Sequence, residues 1–213
     1  MASPATTVRL TATVVGAAYA VALYFSGIHI QAGAKQALSY LPTILTFLVA
    51  LWDVWLWRIL WLQRLAKRPW IAGIWSATLT PTTASHIPPG GNRGPINAYV
   101  IINQSFWSTR VRQYTAESRS DSRASIWGDT ISGSDRALTY TYANRPRQEL
   151  EDRSRPHLGT AGLDVVGLRP STMTGDYFTD RYTKGDMVLR LIDRTTDYAD
   201  FASAEQHCRP TAP

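Results

Sequence analysis

The chain runs to 213 residues, room for one ordinary domain plus an appendage, and 45% of them are hydrophobic. Its net charge of +6 favours acidic partners such as phosphates or anionic lipid headgroups, and the positive-inside bias of a membrane protein produces the same surplus. One cysteine, Cys208, excludes an internal disulfide and with it a cross-linked secreted fold.

Apolar residues crowd into the first third. Residues 10–28 carry no charge and come close to the roughly 20 residues that a bilayer core demands. A second apolar run begins at Ala37, takes Pro42 in its first turns, where proline is tolerated, and changes character at Trp52. There Asp53 and Arg58 enter among Trp55, Trp57 and Trp61, an aromatic belt of the kind found at a membrane–water interface. Arg58, Arg64, Lys67 and Arg68 lie on that side, whereas residues 27–36 between the runs offer only Lys35. Positive-inside counting therefore predicts two transmembrane helices over residues 1–68, with both termini in the cytoplasm. A signal peptide cut near Ala32-Gly33-Ala34 is the competing reading, but signal cores run only about 7–15 residues.

Ala12, Gly16 and Ala20 form a small-residue ridge that lets helices approach closely, within the chain or between copies. Such residues are also simply common in transmembrane helices. Asp53 and Arg58 are costly at membrane depth. Their spacing disfavours a bridge within one helix, leaving partners on another helix or protomer, or snorkelling to the headgroups.

After Pro69 the pattern changes to short runs of strand composition between Gly, Pro, Ser and Asn. Strands are predicted over 71–79, 98–106, 108–115, 124–127, 138–143, 159–166, 174–181 and 187–191. Eight short strands without helical crossovers predict a small antiparallel β-barrel or a sandwich across residues 69–194. Residues 195–213 read as a disordered tail.

Alternation along the seventh strand sorts Gly175, Tyr177, Thr179 and Arg181 onto one face and Asp176, Phe178 and Asp180 onto the other. If the acidic face is outside, an arginine enters the interior with no acid on its own face, and it calls for either an anion or an acid from another strand. Leu138, Tyr140 and Tyr142 alternate similarly, as core, as rim, or as a stacking platform. The loop holding Arg145, Arg147, Arg153 and Arg155 also holds Glu149, Glu151 and Asp152, so it reads as solvated, and no DNA or RNA partner is expected. No phosphate-cradling glycine loop, zinc-protease or paired-cysteine motif occurs, and His29, His86, His157 and His207 are scattered. No enzyme activity, cofactor or metal is expected.

Several of these residues fall in a characteristic order: Asp53 and Trp57-Arg58, then Gly73-Ile74-Trp75, then Ile101-Ile102-Asn103-Gln104-Ser105. Tyr140-Thr141-Tyr142-Ala143-Asn144-Arg145-Pro146, His157-Leu158-Gly159-Thr160 and the segment from Gly175 to Arg181 follow. The order resembles that of the two-transmembrane, β-strand-rich effectors of bacterial CBASS anti-phage systems, which accompany a cyclic-nucleotide synthase of the CD-NTase type. The resemblance implies a β-barrel that binds a cyclic dinucleotide, assembles as a homo-oligomer through its transmembrane helices, and disrupts the lipid bilayer of the inner membrane. It implies that Arg181 meets phosphate, that Tyr177 with Tyr140 or Tyr142 stacks on bases, and that Thr179 and Ser122 supply hydroxyls. The 86–95 loop and the tail have no counterpart in that pattern. A lipocalin-like barrel for an apolar ligand is the alternative, and it requires an apolar interior.

Overall fold

A computed structural model describes residues 4–25, 32–87, 90–130, 136–152, 154–198 and 200–208. The chain forms two compact units, one from the residues up to Ala66 together with Ser105–Ser108, the other from Lys67–Gln104 and Thr109 onward. The loop across residues 27–30, Arg153 and residues 209–213 lie outside the described residues.

In the first unit, helices α1 (Pro4–Phe25) and α2 (Ala32–Val54) are followed by a 3-10 turn, Leu56–Arg58, and a short helix α3 (Leu60–Ala66). The small-residue ridge faces the partner helix of its own chain. Gly16 is buried, and a Cβ placed on it would stand 2.9 Å from the Cβ of Pro42 on α2, so only glycine allows this approach. Ala12 and Ala20 flank it, half-buried. Elsewhere Leu10, Val14, Val15, Phe25, Leu45 and Phe47 stay more than half exposed. Among the described residues, no helix is long and apolar enough to cross a membrane.

Asp53 corrects the sequence reading. Rather than snorkelling, it is fully buried within its unit. Its Oδ1 accepts from the Trp107 N–H at 3.2 Å and its carbonyl from the Phe106 N–H at 2.9 Å. Trp57 donates its indole N–H to the same carbonyl (3.0 Å), and Trp52 and Trp57 set their rings edge-on to Phe106. These two tryptophans are thus packed, while Trp55 and Trp61 remain exposed. Helix α2 stops at Val54, so the helical-wheel argument that set Arg58 apart from Asp53 does not apply.

The second unit is a closed antiparallel barrel in which each strand pairs with the next and β8 returns to β1. Its strands are β1 (Gly73–Pro81), β2 (Ile96–Gln104), β3 (Thr109–Thr115), β4 (Ser118–Asp129), β5 (Arg136–Pro146), β6 (His157–Val165), β7 (Thr172–Thr179) and β8 (Lys184–Asp193). Each of the eight overlaps a predicted run, but β5 and β8 extend well beyond theirs at both ends, and β4 is twelve residues long where four were expected. Its first half, Ser-Arg-Ser-Asp-Ser-Arg, has none of the β-branched or aromatic residues that announce a strand. Pairing with the long β5 imposes the conformation instead, with a bulge between Ser122 and Ala124.

Side chains pointing inward grade from apolar to polar along the barrel axis. One end is filled by Trp75, Leu138, Leu163, Met173 and Leu189, all essentially inaccessible. The chain before β1 closes that end. Arg194 holds it by donating to the carbonyls of Trp70 (3.1 Å) and Ala72 (3.0 Å) while lying over the Trp70 ring.

Residues 201–208 are helical, not disordered as predicted. Helix α4 (Phe201–Cys208) lies on the outer barrel surface, with Ala204 buried against Ile74, Ile101 and Tyr114. Asp200 and Ser203 form a reciprocal cap, Asp200 Oδ1 accepting the Ser203 N–H (2.8 Å) and Ser203 Oγ the Asp200 N–H (3.3 Å). A helix this short depends on its docking, which local sequence does not reveal.

Candidate functional site

At the end opposite the apolar plug the barrel opens into a cavity that continues over the rim to Tyr99 and to Phe201 and Glu205 of α4, about 630 Å³ in all. Alternation delivers its wall. On β5 the inward positions after Leu138 and Tyr140 are Tyr142 and Asn144; on β7 those after Met173 and Gly175 are Tyr177 and Thr179; β4 contributes Ser120 and Ser118. The β1–β2 connection adds Ile87, Asn92 and Pro95, so the loop with no counterpart in the family pattern forms part of the wall.

Arg181 is the only lysine or arginine among the described lining residues. It sits just past β7 rather than within it, in a turn whose geometry is fixed locally. The Thr179 N–H donates to the Thr183 carbonyl (2.9 Å) and the Tyr182 N–H to the Thr179 carbonyl (3.0 Å), with Tyr182 in the left-handed region at φ 62°. Asp180 points the other way, as the alternation requires, and its carboxylate accepts the Leu158 N–H of β6 at 3.0 Å. The Arg181 Nη1 donates to Ser154 Oγ at 3.0 Å, while its Nε is buried without a hydrogen-bond partner. As the one lysine or arginine of the described lining, Arg181 has its guanidinium placed to meet an anion in the cavity.

Tyr142 lies flat across Gly159 of β6, where a Cβ would come within 2.8 Å of Tyr142 Cε2 and closer still to Cζ and the phenol oxygen. Burial, then the neighbouring Tyr177, raises the Tyr142 phenol pKa; burial, then Asp186, raises that of Tyr177. Both therefore face the cavity as neutral rings with a hydroxyl to donate. His157, at the head of β6, also lines the cavity, its pKa lowered by burial and by Arg181 although a hydrogen bond with the Arg155 carbonyl opposes this.

Of the residues singled out in the sequence, Arg181, Tyr177, Thr179 and Tyr142 are thus brought to one cavity. Tyr140 sits deeper in the core, 3% exposed, its hydroxyl buried and unpartnered. Ser122 is outside the lining: at the β4 bulge its Oγ accepts the Val111 N–H (2.9 Å), so its placement is corrected from ligand contact to backbone repair. Arg145, Arg147 and Arg155 do not line the cavity. Sequence reasoning missed His157, Ser120 and Asn144. One more step of the alternation Leu138, Tyr140, Tyr142 would have reached Asn144.

A family described as "Cap15, cyclic dinucleotide receptor domain" matches residues 66–191 of this chain. The chain is also 29% identical over 163 residues to CD-NTase-associated protein 15 of Staphylococcus schleiferi, covering 76% of this chain and 82% of that protein.

Proposed function

The chain belongs to the Cap15 cyclic dinucleotide receptor domain family, and from that premise we propose that its barrel mouth captures a cyclic dinucleotide. The observation that carries this reading is Arg181, the one lysine or arginine among the described residues lining a cavity that Tyr142 and Tyr177 also line. Phosphate takes the guanidinium, and the bases stack on Tyr142 and Tyr177, an arrangement that uses the flat faces all bases share. A volume of about 630 Å³ suits a small organic ligand.

The wider role in this proposal is that of a CBASS effector. A CD-NTase synthase makes the ligand during phage infection, and the protein, not itself an enzyme, answers by assembling in the bacterial inner membrane with its barrel in the cytoplasm. The exposed apolar side chains of α1 and α2 support a lipid or protein covering, as do the uncharged residues 10–28. Capture drives assembly only if ligand favours the assembled state, and a bias of about 5.5 kcal/mol carries such an equilibrium from one side to the other. In this reading, assembly would bring together the Arg58 side chains that end the 3-10 turn after α2.

Titrating the full-length protein in detergent with cyclic dinucleotides, wild type against Arg181→Ala, tests the sensing step. Loss of a charge-assisted contact worth about 1.5–3 kcal/mol should weaken binding about 10- to 150-fold. Failure of the wild type to bind any of them, or an Arg181→Ala protein that binds undiminished, would end this reading.

A further inference from the structure

On the outside of the barrel, charge is sorted by strand. Alternation sends Arg110, Arg112, Arg119, Arg123 and Arg145 outward from β3, β4 and β5. Two acids accompany them. Asp129 pairs with Arg136 (2.6 Å) at the far end of these strands, and Asp121 is taken by Arg119 (2.8 Å) and approached by Arg110 (3.8 Å). Arg112 donates to the Thr196 carbonyl at 3.2 Å. Arg123 and Arg145 are left exposed with no ion pair to any described residue. Arg145 moreover stands directly opposite Arg119, and like charges so placed destabilise a sheet.

The outer face from β6 to β8 carries the opposite sign. Asp164, Asp176 and Asp186 are exposed there with Asp180 of the β7–β8 turn, against Lys184 and Arg190. Asp176 stands directly opposite Asp186, a second like-charge pair, and neither makes an ion pair with a described residue. Beside them Phe178 is 56% exposed and Val188 43%. Phe178 lies two residues from Asp176 along β7 and diagonal to Asp186. An exposed ring next to carboxylates seats a guanidinium, which stacks on the ring while its N–H groups reach the acids.

β4 and β7 are three strands apart in a ring of eight, so the two faces cannot meet within one barrel. Each fits the other on a second copy. A contact between two different faces repeats from copy to copy instead of closing as a pair. Small side chains on the basic face, Thr141 and Ala143 of β5, lie beside Arg145 and leave room for the Phe178 ring.

We propose that the β3–β5 face of one barrel docks on the β7–β8 face of a second copy, with Arg123 and Arg145 reaching Asp176 and Asp186 around Phe178. The inference rests on the assembly reading above and adds a contact between barrels to the one between helices. Exposed ion pairs are individually weak, so these faces do not hold dilute copies together. They count once association of the helices raises the local concentration of barrels.

The test uses the full-length protein in detergent. Calorimetry identifies a cyclic dinucleotide that binds, and sedimentation velocity follows assembly with and without it. The wild type should assemble with ligand, and about 500 mM salt should demand roughly tenfold more protein than about 50 mM. Arg123→Glu with Arg145→Glu puts carboxylates on both faces, and Asp176→Arg with Asp186→Arg puts guanidiniums on both. Both double variants should still bind ligand, since none of the four side chains lines the cavity. Each alone should need about tenfold or more protein to assemble. Mixed in equal amounts, they should assemble as the wild type does, because each supplies the face the other lacks. Double variants that assemble like the wild type, or a mixture no better than its parts, would overturn the docking and leave the assembly reading standing. If one double variant does not fold, the other and the wild-type salt dependence decide the matter. A wild type that binds ligand without assembling removes the assembly reading and this inference together.

Discussion

Replacing Gly159 by alanine would put one methyl group where the Tyr142 ring now lies. Ordinary contact with that carbon needs at least 3.4 Å, and Cε2 stands 2.8 Å away, with Cζ and the oxygen nearer. The ring must therefore retreat by about 0.6 Å at its near side and further at the hydroxyl end, and with β6 beneath it the retreat is into the cavity. Overpacking of this kind costs about 1–3 kcal/mol of stability. The displaced ring also loses its stacking position, worth about 1–3 kcal/mol per base, which corresponds to roughly 5- to 150-fold in affinity. Thermal melting and calorimetric titration of Gly159→Ala with a cyclic dinucleotide measure the two effects. A double-mutant cycle isolates their cause: in a Tyr142→Ala background, Gly159→Ala should add little to either loss. Gly159→Ala with wild-type melting and affinity would show that the ring does not depend on the missing Cβ, and the stacking geometry would fall with it.

Two further outcomes follow from the barrel itself. The folded barrel lowers the His157 pKa below its usual 6.5, through burial and the nearby Arg181, so the unfolded chain holds the extra proton more readily. The corresponding stability is present above about pH 6.5 and drains away as pH falls through the folded value, whereas phosphate beside His157 raises that value again. Affinity should accordingly rise from pH 7.5 to 6 in the wild type and less so in His157→Gln; parallel pH profiles would contradict this. Ala204→Arg places a charge where Ala204 is fully buried against Ile74, Ile101 and Tyr114, so α4 should undock. Hydrogen exchange of the 201–208 amides would then become fast while the barrel strands stay protected.

Period-two alternation made much of the barrel readable, most plainly on β7, where Tyr177 and Thr179 turn inward and Asp176, Phe178 and Asp180 turn outward. The order Gly175, Tyr177, Thr179 against Asp176, Phe178, Asp180 gave both the strand and the residues reaching the cavity. Elements set by partners rather than by their own composition were not readable. β4 is a serine-rich stretch held by β5, and α4 is an eight-residue helix held by its docking face. Asp53 belongs to the same class, since its carboxylate answers the backbone of Trp107, far along the chain. Ser122 was placed by the resemblance alone; it keeps the register of Ser118 and Ser120, but the Val111 N–H occupies its Oγ.

The two ends of the barrel divide labour in a way that bears on ligand choice. The apolar end supplies close packing from Trp75, Leu138, Leu163 and Leu189, which lets the other end carry buried polar atoms left without partners. Arg181 Nε and Asn144 Oδ1 are two such atoms at the cavity, each costing about 1–3 kcal/mol while unsatisfied by protein or water. A ligand that binds only the folded barrel stabilises it by mass action, by about 2.7 kcal/mol at a hundredfold excess over Kd. An apolar ligand would instead strip water from the Arg181 guanidinium and the Thr179 hydroxyl of the lining with nothing to replace it. The polarity of the mouth therefore argues against a lipocalin-like role, and melting temperature should rise with cyclic dinucleotides and not with fatty acids.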